Sequence, residues 1–164
     1  MWYGYDAAGN RTSLTYPTSS NQASYSYDQA NRLSGVTDWL GNSTSYAYDA
    51  ANRLTATTLP ASTGVSSALS YDNANRLLSV THSQGSTTLA SAAYSYDAAS
   101  NRLSKTTVLN GGSPVAESYC YDALNRLTNV GGSSCTAGGL GQTYAYDNAG
   151  NRTSLATSAG TTSY

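Results

Sequence analysis

Apolar and polar positions alternate over short stretches, and the same alternation recurs along the chain. Two tyrosines stand two residues apart with a small residue between them, as in YGY, YSY and YAY. Because successive side chains of a strand point to opposite faces, this spacing predicts a strand with both rings on one face. Runs rich in Leu, Val and Thr follow, such as RLSGVT and RLTATT, and predict the returning strand of a β-hairpin.

The two predicted strands are joined by an aspartate, two mostly small residues and an asparagine. Asp and Asn hydrogen-bond their own backbone in turns and tolerate left-handed geometry. Three copies carry an additional residue before the asparagine (Gly9, Ser100 or Gly150), so we expect some of the turns to differ in geometry. After the turn, Leu33 and Val36 stand three apart, which breaks strict alternation and predicts a β-bulge.

The complete motif, Tyr-Asp followed by Asn-Arg, occurs seven times at Asp-to-Asp intervals of 21 to 25 residues. Repetition at this period indicates a tandem array in which each hairpin packs on its neighbours. The motif residues are Tyr5, Asp6 and Arg11; Tyr27, Asp28 and Arg32; Tyr48, Asp49 and Arg53; Tyr71, Asp72 and Arg76; Tyr96, Asp97 and Arg102; Tyr121, Asp122 and Arg126; and Tyr146, Asp147 and Arg152. We therefore predict one domain over residues 1–164, all-β, with motifs starting near positions 5, 27, 48, 71, 96, 121 and 146.

Most charged residues lie in the motif. All seven arginines and seven of the nine acidic residues lie in it, and outside it only Asp38, Lys105 and Glu117 are charged. Paired acid–base or sugar-binding groups are one interpretation, but a scaffold bridge between neighbouring turns explains all seven copies together, whereas catalysis needs one convergent site. The net charge of −1 gives no basis for nucleic-acid binding.

Other chemistry is sparse. His82 is the single histidine and has no ligand-type neighbour in sequence; Cys120 and Cys135 lack metal-site spacing and form either one bridge or two free thiols. No stretch is long and apolar enough for a membrane helix, and no signal peptide is recognisable. We therefore predict that the protein is not an enzyme and has no catalytic residues, no bound cofactor and no metal site.

The Y-x-Y-D-x-x-(G)-N-R-L pattern resembles the YD repeat of the RHS family, which includes bacterial Rhs and wall-associated toxins, toxin-complex proteins and teneurins. The resemblance implies hairpins that wind into a curled, spiralling antiparallel sheet forming a hollow shell around a toxin polypeptide. About fourteen strands at about 4.8 Å each span only about 65 Å, which is a strip of wall rather than a shell. We therefore expect a segment of a longer array, secreted or at the cell surface, whose partners are the rest of the shell and an enclosed toxin segment.

Two functional hypotheses follow. The first is a structural, non-catalytic shell segment that encapsulates and helps deliver a toxin. The second is a carbohydrate-binding or adhesion module whose tyrosines stack on sugar rings at a cell surface, provided that these tyrosines face solvent rather than forming the core. For the chain alone, open sheet edges predict self-association.

Overall fold

The computed structural model describes residues 1–17, 19–131 and 141–164. These residues form fifteen β-strands and no helix, which confirms the all-β prediction. The strands are β1 (Trp2–Tyr5), β2 (Arg11–Thr15), β3 (Gln22–Tyr27), β4 (Leu33–Thr37), β5 (Ser43–Tyr48), β6 (Leu54–Thr58), β7 (Val65–Tyr71), β8 (Leu77–Gln84), β9 (Thr87–Tyr96), β10 (Arg102–Leu109), β11 (Val115–Tyr121), β12 (Leu127–Val130), β13 (Gln142–Tyr146), β14 (Arg152–Thr157) and β15 (Gly160–Ser163).

The chain divides into two compact units, Met1–Ser70 with Val80–Leu89 and Tyr71–Ser79 with Ala90–Tyr164. Within the first unit, β1 to β7 pair antiparallel in chain order. Within the second unit, β9 to β15 pair in the same manner. Each of the seven motifs lies between two consecutive strands, so the predicted tandem hairpins are confirmed.

The sheet has two chemically distinct faces. In β3, Tyr25 and Tyr27 are half-buried while Ser24 and Ser26 are exposed, and the last three residues of β5, β7, β9 and β13 alternate in the same way. We call the two sides the tyrosine face and the small-residue face. Among the described residues only Ala23 and Tyr119 are buried hydrophobics, and each keeps 7% of its surface exposed. Burial of apolar area is therefore modest, and hydrogen bonds and ring stacking must contribute more than in a two-layered fold.

A β-bulge follows the motif turn in the first, second, third, fifth, sixth and seventh hairpins. In the second hairpin Tyr27 pairs with Leu33 and Ser26 pairs with Gly35, so Ser34 is left over. The bulge predicted from the Leu33 and Val36 spacing is confirmed, and it brings both side chains to the tyrosine face.

Two further predictions concern cysteines and membranes. Cys120 is disulfide-bonded, and Cys135, the other cysteine of the sequence, lies outside the described residues. No helix of the described chain is long and apolar enough to cross a membrane.

Candidate functional site: the repeat turn

The turn of the second hairpin is organised by the carboxylate of Asp28. The main-chain N–H of Asp28 donates to the Arg32 carbonyl at 2.9 Å, and the N–H of Asn31 donates to the Asp28 carbonyl at 3.0 Å. Oδ1 of Asp28 accepts the N–H groups of Ala30 and Arg32 at 2.8 and 3.0 Å. Oδ2 accepts Nε of Arg32 at 2.7 Å. One carboxylate thus satisfies three donors and closes the turn, as the carboxylates of Asp49, Asp72 and Asp122 do in their hairpins.

The turn of the first hairpin has the same bonds with a different residue in the place of the arginine. Oδ1 of Asp6 accepts the N–H groups of Ala8 and Asn10 at 2.9 and 2.8 Å. Its Oδ2 accepts the side-chain amide of Asn10 at 3.0 Å. Asp97 with Asn101 and Asp147 with Asn151 repeat this arrangement.

All seven motif turns have the same length when positions are counted from the aspartate. The third position has a positive φ in every copy: Gly9, Asn31, Asn52, Asn75, Ser100, Asn125 and Gly150. The fourth position is the arginine in four copies and the asparagine in three. The fifth position pairs with the tyrosine before the aspartate, whether it is Arg11 in the first hairpin or Leu33 in the second. The expectation of different turn geometries is therefore wrong: what differs is which residue fills each position.

An eighth turn of this kind lies at Asp38. Its N–H donates to the Asn42 carbonyl at 3.0 Å, and its Oδ1 accepts the N–H of Asn42 at 2.9 Å. This turn joins β4 to β5, between two hairpins instead of within one. Sequence reasoning left Asp38 outside the motif because no tyrosine precedes it and no arginine follows, although the D-x-x-G-N spacing of the first copy is present.

The fourth-position side chain also reaches the next hairpin. Nη1 of Arg32 donates to the Asp49 carbonyl at 2.9 Å and to Oδ1 of Asn52 at 2.8 Å. Where asparagine takes the position, Nδ2 of Asn10 donates to Oδ1 of Asn31 at 3.0 Å. The ion pair therefore lies within one turn, and the bridge between neighbouring turns goes to a main-chain oxygen or a third-position side chain.

In five hairpins the tyrosine before the aspartate makes a second bridge. The hydroxyl of Tyr27 donates to the Arg11 carbonyl, the fifth position of the preceding hairpin, at 3.0 Å. The same bond is made by Tyr48 to Leu33, Tyr96 to Leu77, Tyr121 to Arg102 and Tyr146 to Leu127. We call this bond the tyrosine latch. It gives five of the fifteen tyrosines a bond that phenylalanine, which has no donor, could not make.

Guanidinium groups lie over tyrosine rings of the next hairpin. Fourth-position arginines cover the tyrosine directly before the aspartate: Arg32 over Tyr48, Arg76 over Tyr96 and Arg126 over Tyr146, at 4.7 to 4.8 Å from the ring centres. Fifth-position arginines cover the other tyrosine of the motif strand, which stands three residues before the aspartate: Arg11 lies over Tyr25 and Arg102 over Tyr119, at 4.2 and 4.4 Å from the ring centres. Arg152 lies over Tyr164 at 4.4 Å. Each stack adds a cation–π attraction to the contact between hairpins.

Hydrogen bonds lower the pKa of the turn carboxyls below their ordinary value of 3.8. For Asp28 the largest cause is the main-chain N–H of Arg32, and for Asp6 it is the side-chain amide of Asn10. The pKa of Asp38 is lowered in the same way by Asn42. The charged form of each carboxyl is thus the one that the turn stabilises.

We expect stability to fall as the pH drops below about 3.8. A carboxyl whose pKa is lower in the folded than in the unfolded chain contributes stability that is present above the unfolded value and lost as pH falls through the folded value. Melting temperatures followed by circular dichroism from about pH 7 to about pH 2 should be flat at first and then decline. A constant melting temperature across that acid range would contradict the role assigned to the carboxylates.

The ionisable residues outside the motif form two small groups. Glu117 accepts Nζ of Lys105 at 3.3 Å and the hydroxyl of Tyr119 at 2.9 Å. His82 is exposed, and its Nδ1 lies 2.7 Å from Oγ of Ser67. Among the residues that the structure describes, no three His, Cys, Asp or Glu side chains converge as a metal site.

Fold and turn together define a tandem β-hairpin scaffold protein, in which one recurring set of side-chain bonds joins neighbouring hairpins within each unit. A model of the RHS Repeat family matches residues 5–43, 27–63, 71–113 and 121–162, which is most of the chain. The chain belongs to the RHS repeat family.

A solved structure has the same fold. The structure of the Photorhabdus luminescens Tc holotoxin pore with mutation TccC3-D651A is 22% identical, covers 99% of this chain and aligns with a TM-score of 0.69. This chain spans 9% of the length of that one. The crystal structure of TcdB2-TccC3-Cdc42 is 18% identical over 98% of this chain and 11% of the other, with a TM-score of 0.48. A search of curated protein sequences finds no match.

Proposed function

We propose that the chain is a non-catalytic segment of an RHS/YD-repeat shell that encloses a toxin polypeptide and helps to deliver it. The observation that carries the proposal is the tyrosine latch, which five hairpins make to the hairpin before them. A wall built from repeated hairpins needs a lateral bond that recurs from one hairpin to the next, and the latch recurs in this way. Seven dispersed copies of one turn fit such a wall better than they fit a single reaction centre.

The partners of this segment are the remainder of the repeat shell and an enclosed toxin segment, and the location is outside the cell or at its surface. Support comes from the family and from the solved Tc holotoxin pore, which aligns with a TM-score of 0.69. This chain spans 9% of the length of that structure's chain, so enclosure and delivery of a toxin by the whole shell are part of the proposal.

A carbohydrate-binding module is the alternative, and ring accessibility weighs against it. Sugar stacking uses the open face of an aromatic ring, and the rings of Tyr25, Tyr48, Tyr96, Tyr119 and Tyr146 each have a guanidinium group over them. A glycan array compares the two functions directly. Reproducible sugar binding that Tyr46→Ala abolishes would overturn the wall in favour of the adhesion module.

The wall proposal predicts lateral association of the 164-residue chain through its edge strands. Sedimentation velocity at rising concentration should show oligomers, because β15 presents unpaired main-chain groups along one side. Lysines introduced at the edge, by Thr161→Lys with Ser163→Lys, should return the protein to the monomer. Ser26→Lys is the control: it adds the charge to the exposed small-residue face of an interior strand and should leave association unchanged. A parent protein that stays monomeric at high concentration would contradict the proposal.

A further inference from the structure

Two arginines of the second unit are not neutralised by a turn carboxylate. Nε of Arg126 lies 2.7 Å from Oδ2 of Asp122, as in the other fourth-position arginines. Arg102 and Arg152 occupy the fifth position, where the asparagine before them has taken over the aspartate. Within the described part of the chain, neither guanidinium group makes an ion pair or a hydrogen bond.

Tyrosine rings hold these two groups on both sides. Cζ of Arg102 lies 4.4 Å from the ring centre of Tyr119 and 5.8 Å from that of Tyr94. Arg152 lies 4.4 Å from the ring centre of Tyr164 and 5.9 Å from that of Tyr144. Both arginines are exposed. A guanidinium group fixed between two rings keeps its N–H edge available, and that edge matches a carboxylate in a bidentate pair.

The strand-borne charge beside these groups is positive on balance. Glu117 pairs with Lys105 and also attracts Arg102. Two positive side chains and one carboxylate give this cluster of three one net positive charge. Arg152 adds a second. The turn aspartates next to them, Asp97 and Asp147, lie at the ends of the strands with their carboxylates bound by asparagine amides.

We propose that the tyrosine face of the second unit binds an acidic polypeptide segment whose carboxylates pair with Arg102 and Arg152. The inference rests on the proposed function, since the enclosed polypeptide is the natural occupant, and it names the chemistry of that occupant. An anionic glycan fits less well, because a guanidinium group already covers the rings that a sugar would stack on.

The strand spacing sets the spacing of the acidic residues. Arg102 begins β10 and Arg152 begins β14, four strands further on. At about 4.8 Å per strand the separation is about 19 Å, which an extended peptide covers in about six residues at about 3.3 Å each. The best ligand therefore carries carboxylates about six residues apart.

Fluorescence anisotropy with labelled peptides tests the proposal on the full chain. A peptide with glutamates about six residues apart should bind, and the same peptide with glutamines should not; binding should weaken with added salt. Arg102→Gln with Arg152→Gln should weaken binding about tenfold or more. Because neither guanidinium group makes a hydrogen bond, circular dichroism of the double variant should stay native.

The control pair is Arg102→Lys with Arg152→Lys, which keeps the charge but loses the planar fork and should also bind less well. Equal binding by the lysine and parent proteins, equal binding of the glutamine peptide, or tighter binding of polygalacturonate than of the acidic peptide would each overturn the proposal. The edge-lysine protein that no longer associates should still bind the peptide. Loss of peptide binding with association intact therefore refutes this inference alone, and loss of association with peptide binding intact refutes the wall alone.

Discussion

Arg32→Ala should lower the free energy of unfolding by about 2 kcal/mol and the melting temperature by about 4–8 °C. The substitution removes the bonds from Nε to Asp28 and from Nη1 to the Asp49 carbonyl and Asn52. It also uncovers the ring of Tyr48. Water reaches these half-exposed groups and replaces part of what is lost, which keeps the cost near 2 kcal/mol rather than twice that.

Arg11→Ala is the matched control in the same unit. Arg11 occupies the fifth position, stacks on Tyr25, and has a buried Nε without a hydrogen-bond partner among the described residues. Its removal should cost less than about 1 kcal/mol, since only the stacking is lost. Urea denaturation of both variants measures the difference. Equal losses would mean that the position in the turn does not decide what an arginine contributes.

Insertion of one glycine between Ala30 and Asn31 should destabilise the protein by about 3 kcal/mol. The resulting stretch, DQAGNR, looks like the first copy. Counted from Asp28, however, the insertion moves Leu33 and Val36 one position on. Because alternate residues face opposite sides of the sheet, Val36 would leave the tyrosine face, where it is opposite Tyr25, for the exposed side.

Much of the architecture was predictable because its signals are local and repeated. The tyrosine spacing fixes which side chains share a face, and the interval of three between Leu33 and Val36 indicates the bulge. The repetition of the motif indicates tandem hairpins, since a secondary-structure assignment that is ambiguous in one copy can be checked against the other six.

The internal frame of the turn was not predictable from a motif that ends in Asn-Arg in every copy. If the copies are aligned on the arginine, Gly9 looks like an additional residue. If they are aligned on the aspartate, Gly9 is equivalent to Asn31, which also has a positive φ. The side chain that completes the aspartate is then either Asn10 or Arg32. Asn supports both roles because its amide is a donor and its backbone tolerates positive φ, so residue type alone does not decide between them.

The side-chain bonds between hairpins were also not predictable from the sequence pattern, because they depend on how neighbouring turns stack. The sequence contained one signal, the absence of phenylalanine, which accords with a use for the tyrosine hydroxyl. The hydrogen bond from Tyr27 to the Arg11 carbonyl supplies the reason.

All seven motif turns share one frame counted from the aspartate, and two variants of the second hairpin test this. The first variant is the glycine insertion. The second keeps the length and converts the turn to the first type by Asn31→Gly, Arg32→Asn and Leu33→Arg. Urea denaturation should leave the equal-length variant within about 1 kcal/mol of the parent and the insertion about 3 kcal/mol below it. A stable insertion variant together with an unfolded equal-length variant would contradict the claim.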